Sequence, residues 1–403
     1  MSGIWPYLLV LVVAVPAVTT LHEAGHALVA RWSGYRVTSF GIGRGRPWLR
    51  LCTRSGVVLY VGRTPWLGGS CVAIPRGLST GSRNAVFHLG GLTAQSVLAT
   101  VLLVLPDWWW VDTVARFNAL VFAWNLLPWR IGSVASDGWW FFGQMWAGGR
   151  TWGSLLEQRR TLEVLEEQER LRGSPVGAWY ASLLLTWIDL LLGGTVETPE
   201  PPPEARGVEL DALYRLVVAD AHRLQGRPVP ALGVIRALRA DLGAEPLPGL
   251  DDLRCILEVR VWLALGEPRT ALETLAQITG TGGVVAQEAS VLRLAAALQD
   301  GEMDDLVIAA NHLLARLDGA FLDPPGAVQI LWEASLAVQK GGHIALHETL
   351  RNSARSAAWR LVERTRSVDR PKLLARLGIP ELGESARDLE RGGGPRGEGS
   401  APG

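Results

Sequence analysis

Apolar positions run unbroken through IWPYLLVLVVAVPAVTTL (4–21), then continue past two His and one Glu to residue 30. As a helix, residues 4–30 reach about 40 Å at ~1.5 Å per residue, enough to cross a bilayer. A second uncharged run, AVFHLGGLTAQSVLATVLLVL, covers 85–105, and a third, shorter run covers 113–129 with Arg116 near one end. Three spanning helices are predicted. Between them the pattern changes. VTSFGIG, WLRLC, VVLYVG and SCVAI, punctuated by Ser55-Gly56 and Gly68-Gly69, predict a small sheet within 36–75. Beyond residue 154 the period is helical. LLEQRRTLEVLEEQERLR (155–172) is strongly charged, whereas GAWYASLLLTWIDLLLGG (177–194) is apolar, short for a span and interrupted by Asp189.

GTVETPEPPPEARG (194–207) reads as a Pro/Glu-rich linker, and 208–380 as helix throughout. A phrase recurs there: LQGRPVPAL, ALGEPRTAL and LQDGEMDDL, with Gly226, Gly266 and Gly301 at spacings of 40 and 35. It resembles the junction between the two helices of a tetratricopeptide unit, although the other signature aromatics are missing. The fold class expected is mostly α. A polytopic membrane core with a small β-sheet insertion (1–150) precedes a helical connector and linker (151–207). An α-helical repeat or solenoid domain (208–383) and a disordered tail (384–403) follow.

Charge sets the orientation. Residues 1–152 hold twelve Arg against four acids, a net of +8, and the remainder holds 27 bases against 35 acids. The loop 31–84 carries nine Arg and no acid, so it is expected on the cytoplasmic side. PDWWWVD between the second and third runs fits an interfacial belt on the opposite side. The N-terminus is then outside and the C-terminal domain cytoplasmic, in a multi-pass protein of the bacterial plasma membrane. Residues 177–194 are expected to lie against the membrane; a fourth crossing is the alternative. A cleaved leader would need Lys or Arg before its apolar run, and MSGIWPY has neither. The Arg cluster beside membrane segments and form no stripe with aromatics, so no nucleic-acid partner is expected. Cys52, Cys71 and Cys255 are too few and scattered for a disulfide framework or a cysteine zinc site.

The chemistry concentrates in LHEAGHALVA. Residues four apart share a helix face, so His22 and His26 can hold one metal ion with Glu23 beside them as general base. A chance HExxH in this composition is roughly 0.7 %. Ionisable groups inside a span are costly and usually functional. A third ligand must come from elsewhere at that depth, and Asp137, followed by Gly138, is the only acid between Asp112 and Glu157. Its alternative is a helix cap ahead of WWFFGQMW. His88 reads as a hydrogen-bonded packing residue. His343 and His347 repeat the i, i+4 spacing without the base and read as a solvated face.

HEAGH in the first membrane helix, then NxxP and DG, resembles the site-2 protease family of intramembrane zinc metalloproteases over roughly residues 5–145. SFGIGRGRP (39–47) and PWLGGSCV (65–72) resemble its glycine-rich strands. The resemblance implies zinc on His22, His26 and Asp137, Glu23 as base, and Asn125 near the substrate or the developing oxyanion. It also implies membrane-anchored protein substrates, cut within or at the bilayer. The small sheet could take the unwound substrate as an added strand or merely cap the core. The helical domain would bind substrate or a protein partner. Two features depart from the family: Gly90-Gly91 stands where Gly-Pro is usual, and the stretch Pro128–Asp137 is longer. Two other readings remain: a non-catalytic membrane scaffold presenting a helical adaptor, and a secreted zinc hydrolase.

Overall fold

The computed structural model describes residues 4–75, 81–131, 134–146, 155–242, 250–278, 283–315, 321–365 and 367–379. The tail expected to be disordered lies outside them. The described chain is mostly helical with one four-stranded sheet.

Helix α1 (Trp5–Trp32) buries Ala14, Val18, His22, His26 and Ala30, a stripe at fourfold spacing, and turns Leu8, Leu9, Val12, Val13 and Leu28 outward. α2 (Gly81–Val104) crosses it at three glycines. A Cβ on Gly25 would stand 2.3 Å from the Gly90 carbonyl oxygen, so only glycine permits this backbone contact. α3 (Trp109–Leu126) packs on both. Two helices, Trp5–Trp32 and Ala85–Val104, are long and apolar enough to cross a membrane. The third expected span is not among them: α3 has 18 residues and includes Asp112, Arg116, Asn118 and Asn125.

The sheet falls where alternation and turn residues place it: β1 (Tyr35–Ile42), β2 (Pro47–Cys52), β3 (Val58–Gly62) and β4 (Gly69–Pro75). Its order is β2-β3-β1-β4, with β1 and β3 parallel and the other pairs antiparallel. β4 is therefore an edge strand. Gly56 and Gly68 adopt φ of 79° and 82°, the left-handed turn geometry expected of them. The β3–β4 turn is fastened to α1 by a defect in that helix. Pro16 has no N–H to offer the Val12 carbonyl, and the Trp66 indole N–H donates to that oxygen at 3.0 Å instead.

After α3, the hairpin β5 (Arg130–Ile131) and β6 (Val134–Ala135) leads into α4 (Asp137–Trp146). α5 (Leu155–Arg172) and α6 (Pro175–Leu191) then pack as a pair. α6 is expected from its sequence to lay an apolar face on the membrane, but none of its residues is exposed. Trp179, Leu183, Trp187, Ile188 and Leu191 are buried in the protein core between α5 and the helices that follow. An α-helix apolar on all sides needs burial, which protein supplies as well as lipid. Asp189, the apparent flaw, pairs with Arg159 of α5 at 2.6 Å.

Among the described residues, nine further helices follow. They are α7 (Val208–Leu224), α8 (Pro228–Leu242), α9 (Leu250–Ala264), α10 (Pro268–Leu275), α11 (Gly283–Asp300), α12 (Met303–Leu314), α13 (Pro324–Lys340), α14 (Ile344–Arg364) and α15 (Arg370–Leu377). α7 to α14 associate in four consecutive pairs, α7, α9 and α11 each also pack on the first helix of the next pair, and α15 packs on α13 and α14. The turns within the pairs hold Gly226, Gly266 and Gly301 at φ of 72°, 78° and 82°, and a fourth, Gly342, at 83°. After three of them the next N–H reaches back to close the helix: Arg227 to His222, Glu267 to Trp262 and His343 to Val338, at 2.8–3.0 Å. The segment 194–207 is pinned to this body and to the sheet. Trp179 Nε1 donates to Pro199 O at 3.0 Å, and Arg36 donates to Glu204 O at 3.2 Å.

Candidate metal centre

His22, Glu23 and His26 are buried on the inner face of α1, against α2. Each imidazole is held by its Nδ1. That of His22 donates to the Gln95 side-chain oxygen at 3.2 Å, and that of His26 to the Phe87 carbonyl at 2.9 Å. Both Nε2 atoms then carry lone pairs, and they face each other at 3.2 Å. Gln95 is wholly buried on α2, and its own carbonyl accepts from Asn118 of α3 at 3.0 Å. Sequence reasoning missed Gln95.

Asp137 joins the pair from the start of α4. Its Oδ2 lies 3.0 Å from His22 Nε2 and 3.2 Å from His26 Nε2. It does not cap α4. Ser136 does so, its hydroxyl oxygen accepting from Trp139 N at 3.1 Å while its proton goes to Leu127 O at 2.6 Å. The longer stretch after Pro128 is folded into the β5–β6 hairpin and returns Asp137 to the end of α3. Gly138 makes that return fit, since a Cβ there would stand 1.9 Å from Leu126 O. The Asp-Gly pair is thus a candidate ligand followed by a required close approach.

The other expected residues fall as follows. Glu23 lies over Gly69 of β4, where a Cβ would meet its Cγ at 2.7 Å and its Oε1 at 3.0 Å. His88 stacks on Trp140 and reaches the other Asp137 oxygen at 3.4 Å, a hydrogen-bonded packing residue whose partner is the candidate ligand. Asn125 is half-buried near the end of α3, and among the described residues its side chain makes no hydrogen bond. Cys52, Cys71 and Cys255 are free thiols, and none belongs to the His22, His26 and Asp137 group. His347 is not solvated as its spacing suggested: it is buried, with Nδ1 donating to Ser335 O at 2.8 Å.

His22, His26 and Asp137 could hold a metal ion. Two imidazole lone pairs and a carboxylate oxygen converge to 3.0–3.2 Å, an arrangement that is repulsive without a cation or a shared proton. Donors around tetrahedral zinc at ~2.0–2.1 Å stand about 3.3 Å apart, so the spacing suits such an ion. Fixing each imidazole through its other nitrogen is the usual way a protein orients metal-binding histidines. No protein-family model matches the chain, and no curated protein or solved structure matches it significantly.

Proposed function

We propose that this chain is an intramembrane zinc metalloprotease of the site-2 type, cutting membrane-anchored proteins, with a helical-repeat domain that binds substrate or a protein partner. The observation that carries the reading is the meeting of His22, His26 and Asp137 within 3.0–3.2 Å, beside Glu23 in the first apolar helix. Nitrogen and oxygen donors in this number suit zinc. Bound there, a zinc ion would polarise a peptide carbonyl and bring the pKa of water toward neutrality.

The protein supplies the rest. The Glu23 carboxylate takes the proton of the attacking water and returns it to the leaving amine nitrogen. A helical substrate must unwind before its peptide bond is accessible, and β4 offers a free edge on which the unwound segment can add as a strand. Gly69, lacking a side chain, leaves that edge open to Glu23. The family resemblance assigns Asn125 to holding the substrate backbone or the oxyanion.

Outward-facing Leu8, Leu9, Val12 and Val13 on α1 and Val97, Val101 and Leu103 on α2 support placement in lipid. The helical body packs on the sheet through α5 and α6. In this reading both share one side of the bilayer, and α3, despite its polar residues, serves as a third crossing. Nine Arg in the loop 31–84 mark that side as cytoplasmic.

The test measures zinc content and cleavage of a membrane-anchored reporter together, in wild type, Glu23→Ala and Asp137→Ala. Glu23→Ala is expected to keep metal and lose turnover, and Asp137→Ala to weaken both. Full zinc and full cleavage in Asp137→Ala would overturn the assignment. A wild-type protein that binds zinc and cuts no anchored reporter would favour the scaffold reading.

A further inference from the structure

The helical body carries a half-open cavity of about 280 Å³ with three arginines in its wall: Arg223, Arg260 and Arg376. Each already faces an acid. Arg223 Nε donates to Asp220 Oδ1 at 2.6 Å, Arg260 Nη2 donates to Glu288 Oε1, and Arg376 Nη2 donates to Asp323 Oδ2 at 2.8 Å. The remaining oxygens of those acids are also taken. Asp220 Oδ2 accepts from Trp187 Nε1 at 2.8 Å, Glu288 Oε2 from Leu322 N at 3.0 Å, and Asp323 Oδ1 from Gly326 N at 3.0 Å.

The arginines are left with donors to spare. Among the described residues, Arg223 Nη2, Arg260 Nη1 and Arg376 Nη1 are buried atoms without a hydrogen-bond partner. Their nearest acid oxygens, where a contact exists, stand at 3.7 Å for Arg223 and 3.9 Å for Arg260, beyond hydrogen-bond reach. Arg260, itself buried, sits at the centre of the group. Leaving a guanidinium N–H buried and unpaired is expensive, so this wall is built to meet an acceptor.

The rest of the lining is apolar, including Leu263, Leu292, Ala295 and Ile330. A few convergent polar groups in an otherwise apolar wall are what a small-ligand site needs, and the volume lies near the lower end of the range for such sites. Each of the three arginines is matched by an acid, and the exposed Glu333 also lines the cavity. That balance disfavours a phosphate or a di-acid and leaves room for at most one negative charge.

We propose that this cavity binds a single carboxylate bearing a branched aliphatic chain. Two sources share that chemistry: a free short-chain acid and the C-terminal Leu, Ile or Val of a protein chain. The guanidinium donors take the carboxylate oxygens, and the apolar wall takes the aliphatic group. This site is independent of the metal centre.

Calorimetry on the full chain in detergent tests it with 4-methylpentanoate, 4-methylpentanamide, a peptide ending in a free leucine carboxylate, and the same peptide amidated. The acid or the free-ended peptide is expected to saturate one site, and the matching amide to bind at least about tenfold more weakly. Tight binding of the acid alone assigns the site to a small molecule, and tight binding of the peptide assigns it to a chain terminus. Ala295→Phe fills the cavity without disturbing an ion pair and should abolish binding. Arg376→Gln should weaken it about tenfold or more. Zinc content of the same samples should not change. No saturable binding of either carboxylate, equal binding of the amides, or undiminished binding by Ala295→Phe would each overturn the proposal.

Discussion

Gly91→Ala isolates what the α1–α2 crossing does for the metal centre. A Cβ at Gly91 would stand 2.3 Å from His22 Cε1, 2.6 Å from His22 Nδ1 and 2.5 Å from His26 Nε2. Ordinary carbon contacts lie at about 3.5–4.0 Å, so the methyl demands roughly 1 Å of movement. The imidazoles cannot yield freely, because Gln95 and Phe87 hold their Nδ1 atoms. α2 can yield only by giving up its contact with α1, where Gly90 and Gly25 already touch through backbone. Overpacking of this kind costs about 1–3 kcal/mol of stability. Displacing two ligands, or loosening the groups that orient them, costs about 10–100-fold in metal affinity. The assay is zinc retention against a graded chelator, run beside reporter cleavage and thermal melting. Val97→Ala, on the outward face of α2, serves as the control and should match wild type. Gly91→Ala with wild-type zinc affinity would refute the close crossing.

Three further outcomes follow from other contacts. Gln95→Leu removes the acceptor that fixes the His22 tautomer, and zinc affinity should fall about 10–100-fold in the same competition assay. Trp66→Phe leaves the Val12 carbonyl unpaired and should cost about 1–2 kcal/mol in denaturant melting; in a Pro16→Ala background the new backbone N–H pairs that oxygen, so the cost should largely vanish. Burial alone would raise the Asp323 carboxyl, but Arg376, Arg260 and Arg223 outweigh it and bring its pKa down to about 2. A depressed pKa gives stability that is present above the unfolded value near 3.8 and is lost as pH falls toward 2. That is about 2.5 kcal/mol across the window, visible as an acid-side drop in melting temperature that Asp323→Asn lacks.

The sequence exposes those parts of the fold whose cause is local. The four strands follow alternation and glycine turns. HEAGH carries its own helical spacing, and Gly226, Gly266 and Gly301 mark helix ends where the chain turns through the left-handed conformation that glycine favours. What it conceals depends on distant partners. α6 is apolar on all sides, and neither length nor hydropathy tells lipid from a protein interior. Its Asp189 is explained by Arg159, thirty residues earlier. Gln95 had a usable signal: His88, Gly91 and Gln95 share a face of an otherwise apolar helix. His347 gave none, because the carbonyl it bonds lies on the preceding helix. Asn125 stands apart, since the family pattern named it and no contact in the described chain yet gives it work.

The sheet is held from both sides. Glu169, wholly buried at the end of α5, accepts from the hydroxyls of Ser39 at 2.6 Å and Thr38 at 3.2 Å. Arg172 donates to the same carboxylate at 2.9 Å and lies over the Tyr60 ring, 4.8 Å from its centre. The Tyr60 hydroxyl bonds to Ser70 at 2.8 Å, and the residue before Ser70 is the Gly69 that Glu23 covers. A buried acid satisfied by three donors is rigid, because removing any one strands charge or polarity in the interior. The edge strand beside the proposed catalytic carboxylate is therefore positioned from the helical body as firmly as from α1. Trp66 supplies the second anchor, on the carbonyl that Pro16 leaves unpaired. Residues widely separated in sequence thus define one surface, and it lies next to Glu23, where an unwound substrate would have to be presented.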